Sequence, residues 1–577
     1  MNGYSSQKAL LILIRLLKEH QVENVVVSPG AMNVALVASL QNDGGFHLIS
    51  APDERSAAYI ACGLAAETLQ PVMLTCTGAT ASRNYIPGLT EAYYRNLPVL
   101  AVTLTRHWAS IGQGIPQAID RRAQLNDMVR KSVQIPFVTS QDDEWGAALN
   151  INDALLELRR HGGGPVHINI ATDSKDAFGV RELPNVRPIK RISPHEKMPD
   201  LPKGRIAVFI GSHEPCGDTL TEAIDKFCAS NNAVVLCDQT SNYRGKYRVL
   251  ANLLSWQEQY KSPQLDVNLL IHIGAVSGSY MKVRPTQVWR VSQRGDAQDT
   301  FKKLTHVFEM TEERFFRHYA ETGESDGNEY YRKISEELSA LRQNIPELPF
   351  SNVWCAQRTA DKLPAGSVLH FGILNSLRCW NLFETDKSIV CFSNTGGFGI
   401  DGCLSTLIGA SLANRERLYY AVLGDLAFFY DLNSLGNRHV GKNIRILLMN
   451  NGIGTEFKNY WHPAAKFGKD TDPFMAAAGH YGNKSPDLVK NYALSLGFQY
   501  LSAANKEEYL KVLDSFCNPN IGAKPVIFEA FTDSASESDA LHIMHNLRSS
   551  PEGAVKNTVK NLLGDSNITT IRKILKR

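Results

Sequence analysis

Two apolar runs in the C-terminal third end on side chains that could hold a metal. Leu418-Tyr-Tyr-Ala-Val-Leu-Gly-Asp425 is strand-like and delivers an acid at its end; Ile444-Arg-Ile-Leu-Leu-Met-Asn-Asn451 delivers an amide in the same way. A βα crossover of this length makes the two strands parallel neighbours, or nearly so. Both ligands then lie at the carboxyl edge of a sheet, where open α/β folds bind ligands. Asp425, Asn451 and a backbone carbonyl around Ile453 form the hard-oxygen set that suits Mg²⁺ together with phosphate oxygens and water. A helix expected to begin near Tyr430 aims its N-terminus at the same edge, which favours a diphosphate. Gly-Asp and Asn-Asn also make plain turns after strands. The recurrence of the pattern in two such runs points beyond turn formation.

Far upstream, Asp53-Glu54-Arg55 precedes Ser56-Ala57-Ala58 where a loop becomes a helix over 56–68. A carboxylate in a first helical turn is ordinarily explained by the helix dipole. A chemical role for Glu54 requires an apolar pocket, where desolvation raises its pKa so that it can share a proton with the ring of a bound cofactor.

The elements that must position these residues are those of a soluble multidomain chain. A length of 577 residues implies two to four domains. Hydrophobic content of 43% with 21% charged residues is globular, and a net charge of +3 gives no reason to expect nucleic acid as a partner. No apolar run approaches the ~20 residues of a membrane span. Residues 1–20 place Leu10, Leu11, Ile14 and Leu17 at helical spacing among charges, which reads as a structural helix rather than a signal peptide. The ten cysteines show no metal-ligand spacing, and Cys62, Cys76, Cys237 and Cys391 fall in apolar stretches, so a reduced, cytoplasmic protein is expected.

Three blocks alternate strand and helix patterns, the mark of parallel α/β layers. The first has strands at 24–27, 72–76, 99–104 and 166–170. A proline-bearing charged segment over 183–200 follows. The second has strands at 206–210, 233–236, 269–273 and 288–291, and a charged stretch over 321–337 leads through Pro346 and Pro349 into the third. There the strands are 367–371, 389–392, 418–423, 444–449 and 526–530. We expect an α/β protein of three doubly wound parallel-sheet domains over 1–183, 184–345 and 346–548, which the resemblance given below makes the pyrimidine-binding, central and diphosphate- and Mg-binding domains. A basic tail over 549–577 carries Arg572, Lys573, Lys576 and Arg577.

The chain resembles the thiamine diphosphate (ThDP) dependent 2-oxo-acid decarboxylases and carboligases, and within them the menaquinone-pathway 2-succinyl-5-enolpyruvyl-6-hydroxy-3-cyclohexene-1-carboxylate synthases. The resemblance rests on Val27-Ser-Pro-Gly30, Asp53-Glu-Arg-Ser-Ala-Ala58, Asn375-Ser-Leu377, Gly399-Ile-Asp-Gly402 with Leu404-Ser-Thr406, and Gly424-Asp-Leu426 with Tyr430-Asp-Leu-Asn433. It spans both outer domains; the central one shows no matching motif. It implies that Glu54 bonds the cofactor pyrimidine and promotes loss of the thiazolium proton, and that Ile400 wedges the cofactor into its bent shape. Gly399, Gly424 and Leu426 would line the cofactor, while Asp425, Asn451 and the Ile453 carbonyl would hold Mg²⁺. The implied reaction decarboxylates a 2-oxo acid and transfers the resulting carbanion to an acceptor. A homodimer would be the smallest active unit, with a homotetramer also open.

The pattern departs from this family at its substrate arginines, which pair bidentately with carboxylates. Met32, Thr395 and Trp380 stand where arginines are expected, with Arg378 displaced by two positions, while Arg106 and Gln117 survive. Losing two or three such clamps, at ~1.5–3 kcal/mol each, argues against isochorismate as acceptor. Arg106, Gln117, Arg378 and Asn375 are candidate substrate residues; Arg83, His107, His462, His480, His542 and His545 are weaker ones. Other readings are a simple 2-oxo-acid decarboxylase, an acetolactate-synthase-like enzyme, or a non-catalytic ThDP-binding homologue. FAD is disfavoured because Ile210-Gly-Ser-His-Glu-Pro lacks the later glycines of a dinucleotide fingerprint.

Overall fold

The computed structural model of the chain describes residues 3–173, 176–321, 323, 327–479 and 485–549. The basic tail from 550 and His480 lie outside them. The first sheet comprises β1 (Asn24–Val27), β2 (His47–Ser50), β3 (Val72–Cys76), β4 (Val99–Thr105), β5 (Lys131–Ile135) and β6 (Val166–Ala171), in the order β2-β1-β3-β4-β6-β5. The central sheet comprises β7 (Lys190–Ile192), β8 (Ile206–Ile210), β9 (Val234–Cys237), β10 (Arg248–Leu250), β11 (Asp266–Ile273), β12 (Arg284–Val291) and β13 (Leu304–Phe308), in the order β10-β9-β8-β11-β12-β13-β7. The third comprises β14 (Val368–Phe371), β15 (Val390–Ser393), β16 (Tyr419–Gly424), β17 (Ile444–Asn450), β18 (Gln499–Ala503) and β19 (Val526–Phe531), in the order β15-β14-β16-β17-β19-β18. The sheets are parallel, and their interior strands are the near-continuous apolar runs that burial on both faces demands. β4 and β17 are buried at every residue.

The chain divides into two compact units. One holds the residues up to Met198 with Val288–Arg290 and Arg294–Glu309; the other holds Pro199–Gln287, Val291–Gln293 and the residues from Met310 on. In the first, the helix Lys8–Glu19 is buried along Leu10, Leu13, Ile14 and Leu17, and with Leu100, Ile151 and Ile168 it fills the core on one side of the sheet. The helix Glu54–Thr68 covers the other side through Ala57, Ala58, Ala61 and Ala65. Its alanines allow close approach: a Cβ on Gly88 would lie 2.4 Å from that of Ala58. In the second unit, the helix Cys403–Ser411 packs Leu404 and Leu407 with Phe428, Leu423 and Ile446.

The structure corrects two sequence expectations. The charged stretch over 321–337 is not a connector at its C-terminal end, because an amphipathic helix Glu329–Gln343 buries Tyr330, Ile334, Leu338 and Leu341. The helix placed near Tyr430 instead starts at Asp425 and ends at Tyr430. Extended Gly424 (φ −77°, ψ 162°) turns strand into helix without a spacer. Among the described residues, no helix is long and apolar enough to cross a membrane.

Candidate active site

The candidate residues fall in both units, and each half is described by itself. In the second unit, β16 and β17 pair parallel with Gly424 opposite Met449, so Asp425 and Asn451 leave neighbouring strands at one edge. Asp425 is 4% exposed. Its Oδ1 accepts from Leu426 N at 2.8 Å and its Oδ2 from Gly452 N at 2.6 Å. Burial pushes the carboxyl up to about 6, while those backbone donors pull it back. Among the described residues every polar partner is a backbone N–H and no cation stands beside the acid, which has lone pairs left.

Asn451 Oδ1 accepts from Ile453 N at 3.3 Å, and its Nδ2 donates to Thr455 Oγ1 at 3.2 Å. The Ile453 carbonyl accepts from Thr455 N at 2.8 Å. The preceding amide, Asn450, is used inside the sheet, donating to buried Glu529 at 2.7 Å. An added Cβ on Gly424 would meet nothing within 4 Å, so space is open above the strand end. Among the described residues no three His, Cys, Asp or Glu side chains gather as a metal cage. An uncompensated carboxylate beside an amide and a carbonyl fits a hard cation that completes its shell with phosphate and water.

Gly399 and Ile400 lie in the loop between β15 and the helix Cys403–Ser411. Ile400 packs on the core that contains Leu404 and Phe428. Asp431 fixes the start of that helix, accepting from Ser405 N and Oγ at 2.6 Å each.

The two substrate candidates in this unit meet each other and are already engaged. Arg378 donates to both oxygens of Glu456 and to Asn375 Oδ1 at 2.5 Å, and Asn459 Nδ2 donates to Asn375 Oδ1 at 3.2 Å. Sequence reasoning missed Glu456, which lies in a polar loop without a periodic signal. Trp380 is fully buried, and Thr395 is 5% exposed with its hydroxyl 2.9 Å from that of Ser212. His462 accepts from Ala464 N, His542 lies against the Tyr460 ring, and His545 is buried between Trp256 and Trp461.

In the first unit, Glu54 opens its helix behind the cap Asp53, whose Oδ1 accepts from Ser56 N at 2.6 Å. Glu54 is half-buried near the ends of β1 and β3. Burial holds the Cys76 thiol up at about 12 and the Tyr85 hydroxyl well above its usual range, and the Glu54 charge adds to both. Tyr85 lies beside Cys76 and Ser28. Ser28 Oγ, Thr75 Oγ1 and Tyr85 Oη are buried polar atoms without partners. Such orphaned groups beside a carboxylate are what a polar ring would satisfy. Gly30 lies so close to Thr77 that a Cβ there would come within 2.3 Å of the Thr77 Cβ. Met32 is 5% exposed in the core. Arg106 and Gln117 are exposed, Gln117 with φ 63°. Arg83 donates to the Asp120 carbonyl and His107 stacks on Phe137.

Comparison with known proteins shows the family. Residues 8–125 match the family model described as thiamine pyrophosphate enzyme, N-terminal TPP binding domain. The chain is therefore an enzyme of the thiamine diphosphate class. The 2-succinyl-5-enolpyruvyl-6-hydroxy-3-cyclohexene-1-carboxylate synthase of Bacteroides thetaiotaomicron is 30% identical over 571 residues, 93% of this chain and 98% of the relative. The synthase of the same name from Bacteroides fragilis is 29% identical over 574 residues, with the same coverage. That of Desulfotalea psychrophila is 28% identical over 540 residues, 89% and 96% of the two chains. The chain belongs to the family of ThDP enzymes that contains these synthases.

Proposed function

We propose that the chain is a ThDP- and Mg²⁺-dependent carboligase that decarboxylates a 2-oxo acid and transfers the fragment to an acceptor other than isochorismate. The observation that carries this reading is the buried Asp425 carboxyl, held only by backbone N–H groups, with Asn451 on the adjacent strand end. Asp425, Asn451 and the Ile453 carbonyl are the proposed metal ligands; Gly399, Ile400, Gly424 and Leu426 line the cofactor. When bound there, ThDP supplies the nucleophilic carbon and the electron sink for loss of CO₂. Glu54 would face the cofactor ring and is the proposed acid–base residue. Arg106 and Gln117 remain proposed substrate contacts.

The acceptor assignment rests on what occupies the clamp positions. Met32 and Trp380 are core residues, Thr395 is spent on Ser212, and Arg378 is neutralised by Glu456. A dianionic acceptor would find no unpaired guanidinium at any of these four places. Domains over 1–183, 184–345 and 346–548 remain our division of the chain. A homodimer is supported by exposed Tyr59 (48%) and Tyr94 (68%) on helices of the first unit. A reducing compartment, and hence the cytoplasm, is supported by nine buried free cysteines.

The test is CO₂ release from pyruvate, 2-oxoglutarate, phosphonopyruvate and branched 2-oxo acids, with and without ThDP, Mg²⁺ and candidate acceptors. Release that needs both cofactors and disappears in Glu54→Gln supports the proposal. Release that is undiminished without ThDP contradicts it, and efficient product formation with isochorismate overturns the acceptor assignment.

A further inference from the structure

Nine of the ten cysteines are buried; Cys216 alone is partly open to solvent. It precedes Gly217, the cap of the helix Asp218–Asn231, in the loop after β8. His213 in the same loop turns Nδ1 toward it, 3.7 Å from Cys216 Sγ, and this nitrogen is also 2.6 Å from the Glu214 carbonyl. On the far side of the ring, Nε2 is 2.9 Å from Glu312 Oε2 at the start of the helix Glu312–Glu321. Thiol, imidazole and carboxylate thus stand in series, with the ring held beside the sulfur by the carboxylate on its far side.

The loop holds this geometry rigidly. His213 N donates to Thr240 O at 3.0 Å, Cys216 N to Asn242 O at 3.3 Å, and Asn242 Nδ2 back to His213 O at 2.9 Å. One turn after β9 therefore fixes both side chains. Burial alone would lower the His213 pKa, but Cys216 and Glu312 together push it up to about 11, so the ring is an imidazolium at neutral pH. The other charges nearby are exposed Glu214 and Asp218 on the chain itself and the buried Cys237 thiol at the end of β9. Burial pushes the Cys237 thiol up to about 12 and Cys62 to about 11, which leaves them inert as nucleophiles.

We propose that Cys216, positioned beside the His213–Glu312 pair, is a modification site that hydroperoxides oxidise to a sulfenic acid. The Cys216 thiol gives its proton to water and the thiolate sulfur attacks the terminal peroxide oxygen; an S–O bond forms as the O–O bond breaks. Two electrons pass from sulfur to the peroxide, and the departing alkoxide or hydroxide takes its proton from the His213 imidazolium, which water reprotonates.

The native protein is treated with hydrogen peroxide and dimedone at pH 7, in competition with glutathione, and the labelled residues are located by mass spectrometry. The expected result is labelling at Cys216 at least tenfold faster than glutathione, with the nine buried cysteines unlabelled. His213→Gln slows it at least tenfold and Glu312→Gln severalfold, while Cys216→Ser abolishes the label and keeps CO₂ release. Labelling no faster than glutathione overturns the proposal. So does an unchanged rate in His213→Gln that melts like the parent; if that variant does not fold, Glu312→Gln and the glutathione ratio decide.

Discussion

Asp238 and Asp425 occupy equivalent places in two parallel sheets and meet opposite fates. Each follows an interior strand at the carboxyl edge, and burial raises the pKa of each. Asp238 is fully consumed by its own loops: Oδ1 accepts from Thr240 N at 2.7 Å and Thr240 Oγ1 at 2.6 Å, and Oδ2 from Ser277 Oγ at 2.6 Å. The central edge is also shut at the backbone, since a Cβ on Gly211 would lie 2.0 Å from the Ala275 carbonyl oxygen. Asp425 takes backbone donors and, among the described residues, no hydroxyl, and space is open above Gly424. The same sheet edge makes a plug in one domain and a candidate cation site in the other, so function is decided by the loops rather than by the fold.

The largest effects expected from breaking this comparison are on turnover. Asp425→Ala should lower cofactor-dependent CO₂ release by ~10³-fold or more through loss of the charged metal ligand, whereas Asp238→Ala should leave release per folded molecule nearly unchanged. Glu54→Gln should cost ~10²–10⁴-fold with ThDP affinity largely kept, as expected for lost acid–base chemistry. Stability should run the other way. Asp238→Ala strands several buried donors and should cost ~2–4 kcal/mol in denaturant unfolding, against about 1 kcal/mol for Asp425→Ala, whose donors lie at an open edge.

The glycines sharpen the contrast at smaller scale. Gly211→Ala should destabilise by ~1–3 kcal/mol through forced displacement of Ala275, while Gly424→Ala should melt like the parent yet bind ThDP more weakly. The smallest effect is in pH. Because the folded Asp425 carboxyl is raised to about 6 from an ordinary value near 4, the apoprotein keeps its contribution below pH 4 and loses it as pH rises through about 6. Mg²⁺ requires the ionised form, so the gain in Tm on adding Mg²⁺ and ThDP should be larger at pH 7.5 than at pH 5.5.

The legibility of the chain follows the same physics. Interior strands such as β1, β3 and β8 match their expected bounds because burial on both faces writes unbroken apolar runs into them. Of the six unpredicted strands, β2, β5, β7, β10 and β18 stand at sheet edges and β13 is one in from an edge, and β2, β5, β7 and β18 are half-exposed and mixed in polarity. The placement of Asp425 and Asn451 at neighbouring strand ends was legible because they punctuate interior strands. The engagement of Arg378 by Glu456 was not, since an ion pair 78 residues apart leaves no local pattern. Glu529 had a signal, a lone acid inside Val-Ile-Phe-Glu-Ala-Phe, and it proves to be the partner of Asn450 and Tyr500.

The most direct test is a calorimetric titration of ThDP into the apoprotein with and without Mg²⁺, repeated for Asp425→Asn and Asp238→Asn. The account predicts binding that depends on Mg²⁺ in the parent and in Asp238→Asn and is lost in Asp425→Asn. Equal, Mg²⁺-independent binding in all three proteins would contradict it.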